Sequence, residues 1–145
     1  MIPARISIVT IGTRDFAAMR EFYRSLGWRE ASSSEEHSMF DTAGGVLSLF
    51  PSDELAKDAD VDTLTAPGAY SNFSLAINLE SRELVDQTFA HLRELGVTIT
   101  KEPHETFWGG YSGYFADPEN NLWEIAWNPY VRFDSRGALD MNISV

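Results

Sequence analysis

Apolar positions along this chain change rhythm twice, in the same order each time. RISIVTIGT, residues 5–13, is dense in β-branched apolar residues and predicts a strand. In RDFAAMREFYRSLGW the rhythm becomes helical: Phe16, Met19, Phe22, Tyr23 and Leu26 form one stripe. Thr13 or Asp15 can cap that helix, and Gly27 can take the left-handed position after it. WREASSS, HSMFDTAG and GVLSLFP then read as three strands, with turn residues from Asp41 to Gly45 between the last two.

The second half repeats this order. NFSLAINLE predicts a strand, and Ser81 caps a helix whose stripe is Leu84, Val85, Thr88, Phe89, Leu92 and Leu95. Gly96 closes it, as Gly27 closes the first. VTITKEP, GGYSGYFAD and NLWEIAWNP are the last three strands. In the DPENN turn, Asn120 or Asn121 suits a left-handed position. One domain is therefore expected, built from a module over about residues 5–51 and a second over about 71–129. Residues 52–70 are acidic, contain Pro67-Gly68, and read as a linker with room for one short helical turn. The tail, 130–145, has no clear period and is expected to pack on the body or on a second subunit. Each module places one helix against one sheet, so the other sheet face must curve into a cup, pair with its twin, or bind something.

Composition narrows the function classes. A chain of 145 residues is long enough for a proper core. There is no cysteine, which excludes disulfides, thiolate metal sites and a cysteine nucleophile. The net charge of −11 disfavours nucleic acid, whose phosphates would be repelled, and is compatible with cationic ligands. No segment approaches the roughly 20 apolar residues of a membrane span. The opening stretch lacks a leader's long apolar run, so a cytoplasmic location is expected.

One residue breaks the apolar pattern. Glu124 lies inside NLWEIAW, where an unpartnered charge is costly to bury. Period two puts Leu122, Glu124 and Ala126 on one face and Trp123, Ile125 and Trp127 on the other. The large apolar set suits a helix, and the Glu124 set suits the open face. Glu124 is either a structural carboxylate with a local donor or a ligand anchor and general base. TFWGGYSGYF, residues 106–115, brings Trp108, Tyr111 and Tyr114 together with three glycines. That is a mix found in ligand pockets, and equally an edge strand with core aromatics. His104 reads as a residue of a polar loop before this segment, either surface or gate. His37, after Glu35-Glu36, reads as solvated, and His91 as lying at the edge of the second helix stripe. No paired-histidine zinc motif, serine-hydrolase elbow or phosphate loop is present.

Taken together, the two βαβββ modules, the entry IVTIGTRDFAAMREFYRSLGW and the exit GGYSGYFADPENNLWEIAWNP resemble the vicinal oxygen chelate superfamily. That group includes glyoxalase I, extradiol dioxygenases and bleomycin-resistance proteins. The resemblance implies an α+β fold whose modules form a curved, cup-like mixed sheet with helices on its outer face. It also implies a ligand site in the cup and a homodimer. In metal-dependent members four strands supply His, Gln or Glu ligands. The matching positions here are Ile8, Ser48, Ser74 and Glu124, and only Glu124 keeps a ligating side chain. No metal and no cofactor is therefore expected. The resemblance implies a metal-independent binder of a small organic molecule, cationic or aromatic. Glu124 is its candidate catalytic or anchoring group, and Ser48, Phe50, Ser74, His104, Trp108, Tyr111 and Tyr114 are candidate ligand contacts. The alternatives are a lyase, isomerase or dioxygenase using Glu124 as base or a rebuilt metal site, and an accessory domain without a ligand of its own.

Overall fold

Two apolar stripes, each on a helix flanked by strands, predict two helix-on-sheet layers. The structure, a computed structural model, describes residues 6–62, 71 and 73–140. It divides into two compact units, Met1–Ala66 and Pro67–Val145.

In the first unit, β1 (Ile8–Thr13) leads into α1 (Phe16–Ser25), followed by β2 (Glu30–Ser33), β3 (Ser38–Asp41) and β4 (Val46–Pro51). The sheet order is β1-β4-β3-β2. The β1–β4 pair is parallel and the other two pairs are antiparallel. Asp15, not Thr13, caps α1, its carboxylate accepting from Ala18 N–H at 3.0 Å. Thr13 is buried and its hydroxyl donates to the Phe50 carbonyl instead. Gly27 takes φ +81° after the helix, where an L side chain would be strained. Met19 and Tyr23 bury fully against the sheet face carrying Ile11, Phe40, Leu47 and Leu49.

The start of the expected linker is helical. Residues 52–58 form α2 (Ser52–Asp58), with Asp53 and Glu54 in its first turn and Lys57 in its last, which suits the helix dipole. It packs on β1, where Gly12 leaves room for Ser52 and Leu55: a Cβ there would meet both at 3.3 Å. The rest of the expected linker, 63–70, lies outside the described residues, as do 141–145 of the tail.

The second unit repeats the plan: β5 (Ser74–Leu79), α3 (Arg82–Glu94), β6 (Thr98–Glu105), β7 (Tyr111–Ala116) and β8 (Leu122–Trp127), in the order β5-β8-β7-β6. Ser81 caps α3 by accepting from Leu84 N–H. The apolar stripe is narrower than its spacing predicts. Val85, Phe89 and Leu92 are buried, whereas Leu84 and Leu95 stay more than a third exposed. Asn120 is the left-handed residue of the β7–β8 turn, at φ +64°. The tail adds a small hairpin, β9 (Arg132–Phe133) with β10 (Leu139–Asp140).

A charged cluster ties α1 to the β2 edge. Glu30 accepts from Arg20 Nε at 2.8 Å, from Ser38 Oγ at 2.6 Å and from the Arg24 guanidinium. Burial pushes the Glu30 carboxyl up, but the bonds from Ser38, Arg24 and Arg20 outweigh it and hold the group below its ordinary value. A carboxylate with a depressed folded pKa stabilises the fold above its unfolded pKa, about 4.3 for Glu. That contribution disappears as pH falls through the folded value. Glu30→Gln is accordingly expected to cost about 2 kcal/mol at neutral pH, leaving the two arginines without their acceptor. Thermal melts of wild type and variant should converge as pH drops below about 4.

Candidate functional site

Strand alternation sorts every candidate onto one of two faces. In the second unit the β7–β8 register pairs Tyr111 with Trp127, Gly113 with Ile125, and Phe115 with Trp123. These face α3: Phe115 and Trp123 are buried and stacked with rings 6° from parallel, and Phe89 of α3 reaches Gly113. The alternate residues Ser112, Tyr114 and Ala116 lie beside Ala126, Glu124 and Leu122 on the helix-free face. The parallel partner β5 adds Ser74, Ala76 and Asn78, opposite Leu122, Glu124 and Ala126.

Strand β6 completes this face, and His104 belongs to it. The polar loop expected around His104 is strand: β6 runs to Glu105, and His104 pairs with Ser112 while Lys101 pairs with Tyr114. The strand continues because Glu102 and Glu105 bond Arg93 and Arg82 of α3, which fixes them on the helix side. Lys101 and His104 alternate to the opposite side, across the irregularity around Pro103. The His104 ring is oriented by Nδ1, 3.1 Å from the Glu102 carbonyl.

Glu124 is half-buried on this face. Among the described residues, no hydrogen bond or ion pair holds its carboxylate. Its in-register neighbours are the Tyr114 ring on β7 and the small Ala76 on β5, and Ala126 follows it on its own strand. Ser112 shares the face and is 2% exposed.

Tyr111 does not join this group. It faces α3, where its hydroxyl donates to Asp86 Oδ1 at 2.7 Å and the Arg82 guanidinium lies 4.7 Å from its ring centroid. The bond to Asp86, with some burial, raises the phenol's pKa above its ordinary value. Trp108 is half-buried in the β6–β7 hairpin end, its ring lying across Gly110. A Cβ on Gly110 would fall 1.9 Å from Trp108 Cζ3. Gly110→Ala is therefore expected to displace the indole at a cost of about 1–2 kcal/mol, since a side chain yields more cheaply than backbone. The check is a shift of the Trp108 indole N–H resonance with the fold retained.

The first unit has a corresponding face away from α1, with α2 packed at its Gly12 end. Thr10 and Met39 flank Ser48 in register, and Phe50 lies opposite Gly12. His37, which its acidic neighbours suggest is solvated, instead turns over this face. Its Nε2 is 3.0 Å from Ser48 Oγ, and its ring meets the Phe50 ring edge-on at 6.1 Å. Ser48 is thereby 2% exposed. The HSMF run carried the signal, since period two puts His37 and Met39 on one side and the buried Ser38 and Phe40 on the other.

Of the four positions expected to match metal ligands, only Glu124 carries a ligating side chain. Ile8, Ser48, Ser74 and Glu124 offer one carboxylate, two hydroxyls and an alkyl group, and among the described residues no three His, Asp or Glu side chains converge. Among the same residues, no helix is long and apolar enough to cross a membrane.

A βαβββ unit written twice, each with a four-stranded mixed sheet, defines the class of paired-module α+β proteins. The chain belongs to the Glyoxalase/Bleomycin resistance protein/Dioxygenase superfamily, whose model matches residues 5–125. Among solved structures, a glyoxalase-related enzyme from Fulvimarina pelagi is 27% identical, covers 95% of this chain and 98% of its own, and superposes with a TM-score of 0.84. A glyoxalase/bleomycin resistance protein/dioxygenase family enzyme from Burkholderia phytofirmans is also 27% identical, covering 86% and 98%, with a TM-score of 0.75. A lactoylglutathione lyase from Agrobacterium tumefaciens shares the fold at 21% identity and a TM-score of 0.68, covering 87% and 95%. No curated protein matches the sequence significantly.

Proposed function

We propose that the protein binds a small organic molecule, without a metal, on the helix-free sheet face that carries Glu124. The observation that carries this reading is the half-buried Glu124 carboxylate, which has no partner among the described residues and stands beside Tyr114 in a floor of alanines. A half-exposed carboxylate offers a negative charge and acceptor oxygens to a ligand cation or hydrogen-bond donor. Tyr114, Ser74 and His104 supply further polar contacts on the same face. Ser48 and Phe50, with His37, form a similar patch on the first unit. Trp108 supplies an aromatic wall at the hairpin end, and Tyr111 acts from the helix side by holding β7 to α3. An organic cation suits both the carboxylate and the net charge of −11.

The test is calorimetry at low salt with cationic aromatic amines and their neutral analogues. The amines should bind, and Glu124→Gln should weaken them about tenfold, the loss of one charge-assisted contact, with an unchanged melting temperature. Absence of binding by every amine, or equal binding by the variant, contradicts the reading.

The same free carboxylate supports a second reading, an isomerase or lyase in which Glu124 removes a proton and Tyr114 or His104 returns one. Turnover that survives Glu124→Gln would eliminate it. We also propose a homodimer: each four-stranded sheet ends in edge strands, and Ile8 and Phe73 are about half exposed there. Sedimentation at micromolar concentration should give twice the chain mass of 16.2 kDa, and a monomer would contradict the dimer.

A further inference from the structure

The Glu124 face is electrically polarised, and the polarity specifies a ligand. One register row crosses the sheet from edge to edge as Lys101, Tyr114, Glu124 and Ala76. Lys101 is exposed and, among the described residues, carries no ion pair or hydrogen bond. Acids outnumber bases 22 to 11, so a base finds a partner easily, and α3 shows it: Arg82 takes Glu105 and Arg93 takes Glu102. Those pairs hold the two β6 acids on the helix side, which leaves Lys101 without a counter-ion on the open side.

Lys101 and Glu124 are thus an unpaired cation and an unpaired anion on one face. They are two strands apart, about 10 Å between backbone positions, with the Tyr114 ring between them. Their separation keeps them from neutralising each other in the structure. The far side beyond Glu124 is neutral and small: Ala76, Ser74 and Asn78.

We propose that this face selects a zwitterion, with the ligand's ammonium on Glu124, its carboxylate on Lys101, and its intervening chain over the Tyr114 ring. The inference rests on the reading of this face as the binding surface and adds the second charge. A ligand with only an amine satisfies Glu124 and leaves Lys101 as it was. A ligand with only a carboxylate meets the repulsion of Glu124. A zwitterion of matched length compensates both charges at once, and the second contact forms at high effective concentration once the first is made. Chain length therefore matters: too short a spacer reaches one charge only.

The experiment is a titration of the full chain, at low salt and neutral pH, with ω-amino acids of increasing chain length. The matching alkylamines and alkanoates are run alongside. One chain length is expected to bind at least tenfold tighter than its amine and its alkanoate. Lys101→Gln should cut the ω-amino acid's advantage over its amine by at least tenfold, while the amine itself binds as well or slightly better. Glu124→Gln should remove the preference for both ammonium-bearing series. Both substitutions are at surface or half-exposed positions, and matching far-UV circular dichroism confirms that the variants fold. If amines bind through Glu124 but the carboxylate adds nothing, or Lys101→Gln changes nothing, the zwitterion inference fails while the binding face stands. If no amine, alkanoate or ω-amino acid binds, both fail.

Discussion

Gly113→Ala is expected to destabilise the second unit by about 3 kcal/mol, a loss of about 10 °C in melting temperature for a chain of this size. The cause is space. A Cβ on Gly113 would fall 2.6 Å from Phe89 Cζ, 2.7 Å from the Lys101 carbonyl oxygen and 2.9 Å from Pro103 N. The first contact is the tip of a buried ring with nowhere to rotate, since Phe89 is 0% exposed. The other two are backbone, and relieving them means moving β6 at the irregularity that turns Lys101 and His104 toward the open face. Replacing glycine in a strand normally gains about 0.5–1 kcal/mol from lost unfolded-state freedom, which is too little to offset the overpacking. Shortening Phe89 to Leu in the same chain should restore only part of the loss, because the backbone contacts remain. Denaturant melts of the two single variants and the double variant measure this directly.

Asp117→Ala is the second large effect, expected at about 3 kcal/mol. The Asp117 side chain is 3% exposed and organises the turn that starts β8. Its Oδ1 accepts from Glu119 N–H and Asn121 N–H, both at 2.9 Å, and its Oδ2 from Asn121 Nδ2 at 2.8 Å. Alanine leaves those donors unmatched in a partly buried turn, and each unmatched buried donor costs about 1–3 kcal/mol. The turn also sets the register of β8, and a one-residue slip would carry Glu124 from the open face to the helix face. The variant should therefore lose ligand binding together with stability. Asp117→Asn keeps two acceptor lone pairs and should cost about half as much, which separates the hydrogen bonds from the charge.

Much of this fold was legible because its signals are local. Helix spacing, the caps at Asp15 and Ser81, and the left-handed Gly27, Gly96 and Asn120 all depend on residues within one turn of each other. The alternation in NLWEIAW placed Glu124 opposite Trp123 and Ile125 for the same reason. The site was less legible because its composition depends on register between strands far apart in sequence. Tyr111 and Tyr114 look equivalent in GGYSGYFAD, yet their odd spacing sends them to opposite faces, and only Tyr114 stands beside Glu124. His104 sits among polar residues that suggest a loop, but arginines from α3 draw Glu102 and Glu105 to one side and make that segment a strand. His37 reads as solvated from its acidic neighbours, and its contact with Ser48 crosses from one strand to another. Lys101 gave no sequence signal beyond strand period, since its interest lies in the register that sets it beside Tyr114 and Glu124.

The central claim is that the Glu124 face binds a small molecule without a metal. Amide NMR of chelator-treated protein, titrated with an organic amine, tests it most directly. The predicted result is a set of saturable shifts at Ser74–Asn78, Ser112–Tyr114 and Glu124–Ala126, with the outward amides of α3 unmoved. Shifts confined to other surfaces, or shifts that appear only after a divalent transition metal is added, would contradict the claim.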